Sequence, residues 1–258
     1  MSDGLQLRGI AKRFGARTVL ADVSFDVAPG EIVAVVGPSG CGKSTLLSLL
    51  TGAQRPDAGE IRYGGAATAE AGRPFAYMPQ RDVLLPWRRI LDNAAIGLEV
   101  AGLPRAEARR RAGALFDAFG LAGTEDRFPR QLSGGMRQRV SFLRTVVQQR
   151  PVLLLDEPFG ALDAITRDEL QRWLLGIWDS QGWSALFITH DIREAVRMAD
   201  RVLVLGGGRI AGEVGVTRDI PRGDGFRADP RVPGLEERVH ALLRAAAMPG
   251  TPVAQGPA

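Results

Sequence analysis

Eight consecutive residues, Gly37-Pro38-Ser39-Gly40-Cys41-Gly42-Lys43-Ser44, satisfy G-x-x-x-x-G-K-[ST] without a gap, a spacing that cradles the phosphates of a nucleotide. Its glycines let backbone N–H groups turn inward on anionic oxygens, where a side chain would block them. A helix start adds partial positive charge at the same place. Lys43 is then placed to reach the β- and γ-phosphates and the Ser44 hydroxyl to ligate Mg2+, while Thr45 supplies a second hydroxyl at the helix start. A second pair, Asp156-Glu157, closes the apolar run Val152-Leu153-Leu154-Leu155. The aspartate there resembles a Walker B aspartate, which holds Mg2+ through its water shell, and the glutamate beside it is then in place to polarise a water for attack on the γ-phosphate. Neighbouring acids are ordinarily a solvated turn, but four aliphatics before them and a phosphate loop upstream select the catalytic reading.

These groups need rigid supports, and the sequence supplies them. Glu31 to Val36 reads as a buried strand into the phosphate loop, and Ser44 to Thr51 as a helix with Leu46, Leu47, Leu49 and Leu50 inward. The run before Asp156 has the continuous apolar character of a parallel-sheet centre, and ligands sit at such strand ends. Leu5 to Ile10, Val19 to Asp22 and Ser24 to Val27 read as short strands of an antiparallel subdomain. Between the first two, Lys12-Arg13-Phe14-Gly15 offers an aromatic that either stacks on a purine ring or packs locally. Strands are expected again at Glu60 to Tyr63 and Phe75 to Met78, the second leading to Gln80. Helices follow at Leu91 to Ala101 and Arg105 to Phe119, forming an inserted helical subdomain. Ser133 caps a further helix to about Gln149, at whose start Gly134 and Gly135 expose N–H groups. A helix at Ala164 to Gln181, a strand at Ser184 to Thr189, a helix at Asp191 to Ala199 and a strand at Arg201 to Leu205 complete an α/β alternation. The glycines 206–208 turn that strand into Arg209-Ile210. Beyond Val214 little regular structure is expected before a short helix from about Leu235 to Ala246, with frayed residues from Pro249 to Ala258.

The 258 residues suffice for one large domain or two small ones with a sizeable core. No run reaches the ~20 apolar residues that span a bilayer, and no secretory apolar region opens the chain, so a soluble cytoplasmic protein is expected. Cys41 alone excludes an internal disulfide, and His190 with His240 alone makes a histidine metal site improbable. The net charge of +4 does not argue for nucleic acid. Arg105, Arg109, Arg110 and Arg111 read as a solvated helix face.

Taken together, the motifs resemble the nucleotide-binding subunit of ATP-binding cassette (ABC) transporters over about residues 5–215. The carrying residues are 37–45, Gln80, Leu132-Ser133-Gly134-Gly135-Met136-Arg137-Gln138, Val152 to Pro158, Ala161-Leu162-Asp163 and His190, in the family's order. The serine-glycine-glycine signature is the most specific of them. The resemblance implies an α/β fold: a P-loop NTPase core with an antiparallel β subdomain and an inserted α-helical subdomain. It places a cassette at 1–215, with the helical subdomain about 82–150, and a short tail at 216–258 with one helix. It implies that Ser133, Gly134 and Gly135 cap the γ-phosphate held by the partner's Lys43 in a head-to-tail homodimer burying two ATP molecules. Gln80 resembles the glutamine that senses Mg2+ and the attacking water. His190 matches the switch histidine that contacts the γ-phosphate and orients Glu157. Asp163 resembles the residue that meets the partner's phosphate loop, and Phe14 stands in the place of the adenine-stacking aromatic.

Leu84-Leu85-Pro86-Trp87, Leu91-Asp92-Asn93, the run 156–163 and Asp229-Pro230-Arg231 look like importers for nitrate, sulfonate, taurine and related small molecules. The resemblance then implies a peripheral ATPase on the cytoplasmic face of the membrane, with two permease subunits and a separate solute-binding protein as partners and no nucleic acid. The surface near Trp87 would receive a permease helix. An exporter ATPase and a non-transport ABC ATPase are the alternatives. Ser141-Phe142-Leu143 departs from the alanine-rich pattern common after the signature and puts local packing in question.

Overall fold

Continuous aliphatic runs have no face to give to water, so they become strands covered on both sides. The computed structural model, which describes residues 4–68, 74–160, 162–223 and 225–247, places them so. In chain order the elements are β1 (Leu5–Phe14), β2 (Arg17–Val27), β3 (Ile32–Val36), α1 (Lys43–Leu50), β4 (Ala58–Tyr63), β5 (Ala66–Ala67) and β6 (Phe75–Met78). There follow α2 (Ile90–Val100), α3 (Arg105–Gly113), α4 (Gly134–Val146), β7 (Val152–Asp156) and α5 (Ala164–Gln181). The chain continues with β8 (Ser184–Ile188), α6 (Ile192–Met198), β9 (Arg201–Gly206), β10 (Arg209–Gly215) and α7 (Val232–Ala247). They group into two compact units, Met1–Pro74 with Gln181–Ala258, and Phe75–Ser180.

In the first unit the strands run in the order β5-β4-β1-β2-β10-β9-β3-β8. Its β1, β2 and β4 pair antiparallel, as do β9 and β10, whereas β3 lies parallel to both β8 and β9. Every residue of β3 and β8 is buried, as a strand with two covered faces requires. The inward leucines expected on α1 are all buried. A hub at Asp200 anchors the start of β3, accepting Ile32 N–H at 2.9 Å, Arg218 Nε at 2.9 Å and Arg222 Nη2 at 2.6 Å. Helix α7 packs on β9, β10 and α6, with Val239 fully buried.

The second unit pairs β6 parallel to β7 and carries α2 to α5. The question raised by Ser141-Phe142-Leu143 has a packing answer. Phe142 lies 6.1 Å from Trp173, which meets Phe119 edge-on at 5.0 Å, and Arg139 stacks over Trp173 at 5.1 Å. Such aromatic pairs contribute about 0.5–1.5 kcal/mol beyond their burial, so a large residue here fills the space between α4 and α5.

Several local expectations are corrected. Lys12 to Phe14 are not a connecting turn but the end of β1, and the two short strands at 19–27 are one, β2. The helix expected to Phe119 ends at Gly113, where Leu115 and Phe116 donate to Ala112 and Gly113 in tighter turns that bury Phe116 and Phe119. Burial there overrides helical propensity. The helix from Ser133 ends at Val146, three residues early, and Gln149 beyond it adopts φ 51°. The last helix begins at Val232 rather than Leu235. The residues from Pro249 on, expected to fray, lie outside the described ones.

Candidate functional site

In the first unit the phosphate loop joins the buried β3 to α1. Gly42 takes φ 110°, and a Cβ there would stand 2.6 Å from Leu20 Cδ2. A Cβ on Gly37 would run into the Leu205 carbonyl and the Cys41 sulfur. Gly37 and Gly42 thus let the loop backbone pack closely against β2 and β9, where a side chain would clash. Pro38, Ser39, Gly40 and Ser44 are exposed, and Gly42, the N-cap of α1, offers no side-chain cap to its first N–H groups. Lys43 Nζ donates to Gly37 O at 2.7 Å and Pro38 O at 3.1 Å, which holds its ammonium over the cradle. Cys41 lies 3.9 Å from that ammonium, and burial pushes its thiol pKa up despite it. Thr45 follows Ser44, half-buried, in the first turn of α1.

Phe14 ends β1 with 47% of its surface exposed, so its ring is available for stacking rather than part of the core. Lys12 sits 5.7 Å from its centroid and is held there by Asp57 at 2.9 Å. Exposed His190 follows β8, between two constrained neighbours. Thr189 Oγ1 donates to Glu194 Oε2 at 2.7 Å and accepts from Asp191 N–H at 3.0 Å, while Asp191 caps α6 through Arg193 and Glu194.

The second unit brings Gln80, Asp156 and Glu157 together. Gln80 follows β6 and donates Nε2 to Glu157 Oε2 at 2.8 Å. Glu157, just past β7, has φ 44°, a left-handed conformation that non-glycine residues hold only where surroundings enforce it. Tyr77 donates its hydroxyl to Asp156 Oδ2 at 3.2 Å. Partial burial and then the Asp156 charge push the Tyr77 pKa up to about 12, so the phenol remains a neutral donor. Ser133 caps α4, its Oγ accepting from Met136 N–H at 3.2 Å, which leaves exposed Gly134 and buried Gly135 at the helix start. Asp163 caps α5 by accepting from Ile165 and Thr166 at 3.1 Å each, and the Thr166 bonds lower its pKa. Ala161 lies outside the described residues.

Sequence reasoning missed Tyr77, whose place one strand over from Asp156 follows only from the β6–β7 pairing of Tyr77 with Leu154. Asn93, singled out in sequence only as part of a family run, is fully buried, accepts Leu85 N–H at 2.6 Å and donates to the carbonyls of Leu85, Arg88 and Arg89. That amide shapes the turn presenting Trp87, 72% exposed, while Leu84 is buried and belongs to the core.

The family model described as ABC transporter matches residues 20–160. The chain is 44% identical to the aliphatic sulfonates import ATP-binding protein SsuB 2 of Pseudomonas aeruginosa, over 96% of this chain and 86% of that one. It is also 44% identical to the taurine import ATP-binding protein TauB of Chromobacterium violaceum, over 88% and 89% of the two chains. Among solved structures, a dimeric post-hydrolysis ATP-binding cassette bound to ADP and Pi superposes with TM-score 0.71 and 28% identity, over 83% of this chain and 99% of that one.

Proposed function

The chain belongs to the ABC transporter ATP-binding family, and on that premise we propose that it hydrolyses ATP to energise import of a small sulfonate-class solute through a membrane permease. One observation carries the reading: Gln80 Nε2 on Glu157 Oε2 at 2.8 Å, beside Asp156 at the end of β7. A carboxylate poised to accept a proton, with an amide to orient the water it activates, is the equipment of phosphoanhydride hydrolysis.

We assign Lys43 and the loop 37–45 to the phosphates, Phe14 to the base, and His190 to the γ-phosphate. The backbone cradle at Gly37 and Gly42 and the ammonium over it fit a polyanion. For Mg2+ we assign Ser44, Asp156 and Gln80, an oxygen-only set that suits a hard cation. Mg2+ supplies neutralisation of phosphate charge when bound. Glu157 takes the proton of the attacking water, and Gln80 holds its carboxylate in direction. Ser133, Gly134 and Gly135 we assign to the nucleotide of a second copy in a homodimer, a reading supported by the dimeric cassette of like fold.

Among the described residues no helix is long and apolar enough to cross a membrane, so import requires membrane partners. We assign these as two permease subunits, with a separate solute-binding protein, and place the chain on the cytoplasmic face. The exposed Trp87 is the contact offered to the permease. The test is reconstitution with the permease subunits in vesicles, measuring ATP hydrolysis and uptake of taurine or an alkanesulfonate. Coupled uptake is expected, and Trp87→Asp should abolish it while the isolated subunit melts within a degree or so of wild type, because an exposed ring buries little. Outward transport, or ATP turnover with no solute movement, overturns the import reading.

A further inference from the structure

The contacts of the second unit close into a ring. Gln80 donates to Glu157 at 2.8 Å. The next residue, Pro158, accepts on its carbonyl from buried Gln138 Nε2 in α4. Arg137, beside Gln138, ion-pairs through Nε with Asp82 Oδ2 at 3.0 Å, two residues past Gln80. The same guanidinium donates Nη1 to Leu132 O at 2.9 Å, next to Ser133. Arg144, farther along α4, donates to Asp82 O at 2.7 Å and Val83 O at 2.9 Å. Those bonds hold Val83 at φ 43°, a conformation a β-branched residue keeps only under constraint.

We propose that the Asp82–Arg137 pair is a positioning device for hydrolysis, locking the Gln80 segment, the Glu157 turn and the Ser133 helix start into one body. Neither residue touches the reacting atoms. The pair acts through geometry: it fixes where Gln80 stands when it orients Glu157, and where Leu132 leaves Ser133. Misplacement by about 1 Å is enough to slow a positioned reaction by as much as a hundredfold. A half-exposed ion pair is a weak structural element, so its loss should register in rate rather than in folding. The side chains of Arg137 and Asp82 are 37% and 34% exposed, so neutral substitutes are tolerated by the fold.

The proposal rests on the ATPase reading, and the experiment separates the two. Asp82→Asn, Arg137→Gln and the double variant are assembled with the permease, and kcat, KM for ATP and melting temperature are measured. Each single should lower kcat about fivefold, with KM and melting temperature unchanged. The double should lose no more than either single, because residues acting as a unit are non-additive. Wild-type kcat in either single, or losses that multiply in the double, overturns the device. So does a fall in kcat accompanied by a matching fall in melting temperature. A wild-type complex that hydrolyses no ATP overturns the ATPase reading and the device with it, whereas a hydrolysing wild type with unaffected variants overturns the device alone.

Discussion

The phosphate loop and the Glu157 turn, to which we assign separate parts of ATP hydrolysis, are shaped by different means. The loop gets its form from backbone: at Gly37 and Gly42 a Cβ would clash with neighbours the loop packs against, and Lys43 closes the curve onto the loop's own carbonyls. The Glu157 turn gets its form from side chains belonging to two separate stretches, Gln80 with Asp82 after β6 and Arg137 with Gln138 in α4. A side-chain ring is adjustable, and its members exert their effect through one another.

The sharpest way to break this comparison is at Glu157. Glu157→Gln keeps the size and the bond to Gln80 but removes the proton acceptor, so kcat should fall ~10²–10⁴-fold. ATP binding should persist, because the cradle in the first unit is untouched, and ATP-bound dimers should accumulate on size exclusion. Near-normal turnover in the assembled transporter would remove Glu157 from the chemistry.

Gly42→Val attacks the other region. A side chain at φ 110° is strained, and its Cβ meets Leu20 at 2.6 Å, at a cost of roughly 1–3 kcal/mol. If the loop works by backbone shape, ATP affinity should drop by roughly five- to a hundredfold in a fluorescent-nucleotide titration. The Gln80–Glu157 geometry should be unaffected, so whatever nucleotide still binds should turn over at a near-normal rate. Unchanged affinity would contradict the cradle.

The same contrast explains what was legible in the sequence. A backbone-built loop is contiguous, so residues 37–45 could be read as one run joining β3 to α1, and the structure has them so, with 43–45 in the first turn of α1. Ser133 as a helix cap and the buried leucines of α1 followed from local rules and appear as expected. What could not be read was any partner distant in the chain: Tyr77 on Asp156, Gln138 on Pro158, Arg137 on Asp82. No local propensity places an arginine next to an aspartate 55 residues away. Where helix ends were misjudged, as at Gly113 and Val146, burial of Phe116 and Phe119 or a left-handed Gln149 decided the boundary. Fold class survived because buried strands announce themselves by composition.

The smallest effect sharpens the comparison from within the first unit, which has a side-chain network of its own at Asp200, at the far end of the strand that feeds the loop. Burial acts to raise the Asp200 pKa, but the Ile32 N–H and the Arg218 and Arg222 guanidiniums outweigh it, and the net direction is down from 3.8. A depressed carboxylate contributes stability that is fully present above the unfolded value and is lost as pH falls through the folded one. Asp200→Asn should therefore cost about 2 kcal/mol at neutral pH, the scale of a charge-assisted hydrogen bond. That corresponds to roughly 4–8 °C in melting temperature for a chain of this size. Wild type and variant should keep that gap down to pH ~4, the ordinary carboxylate value, and converge as pH falls below it toward the depressed value at which folded Asp200 takes up a proton. Turnover at 25 °C should not change, since the hub touches no group assigned to the nucleotide. This is the reverse of the signature expected for Arg137, which moves rate and leaves melting alone. If Asp200→Asn lowers kcat with no thermal loss, or the gap persists undiminished at pH 3, the first unit's network is not the passive support described.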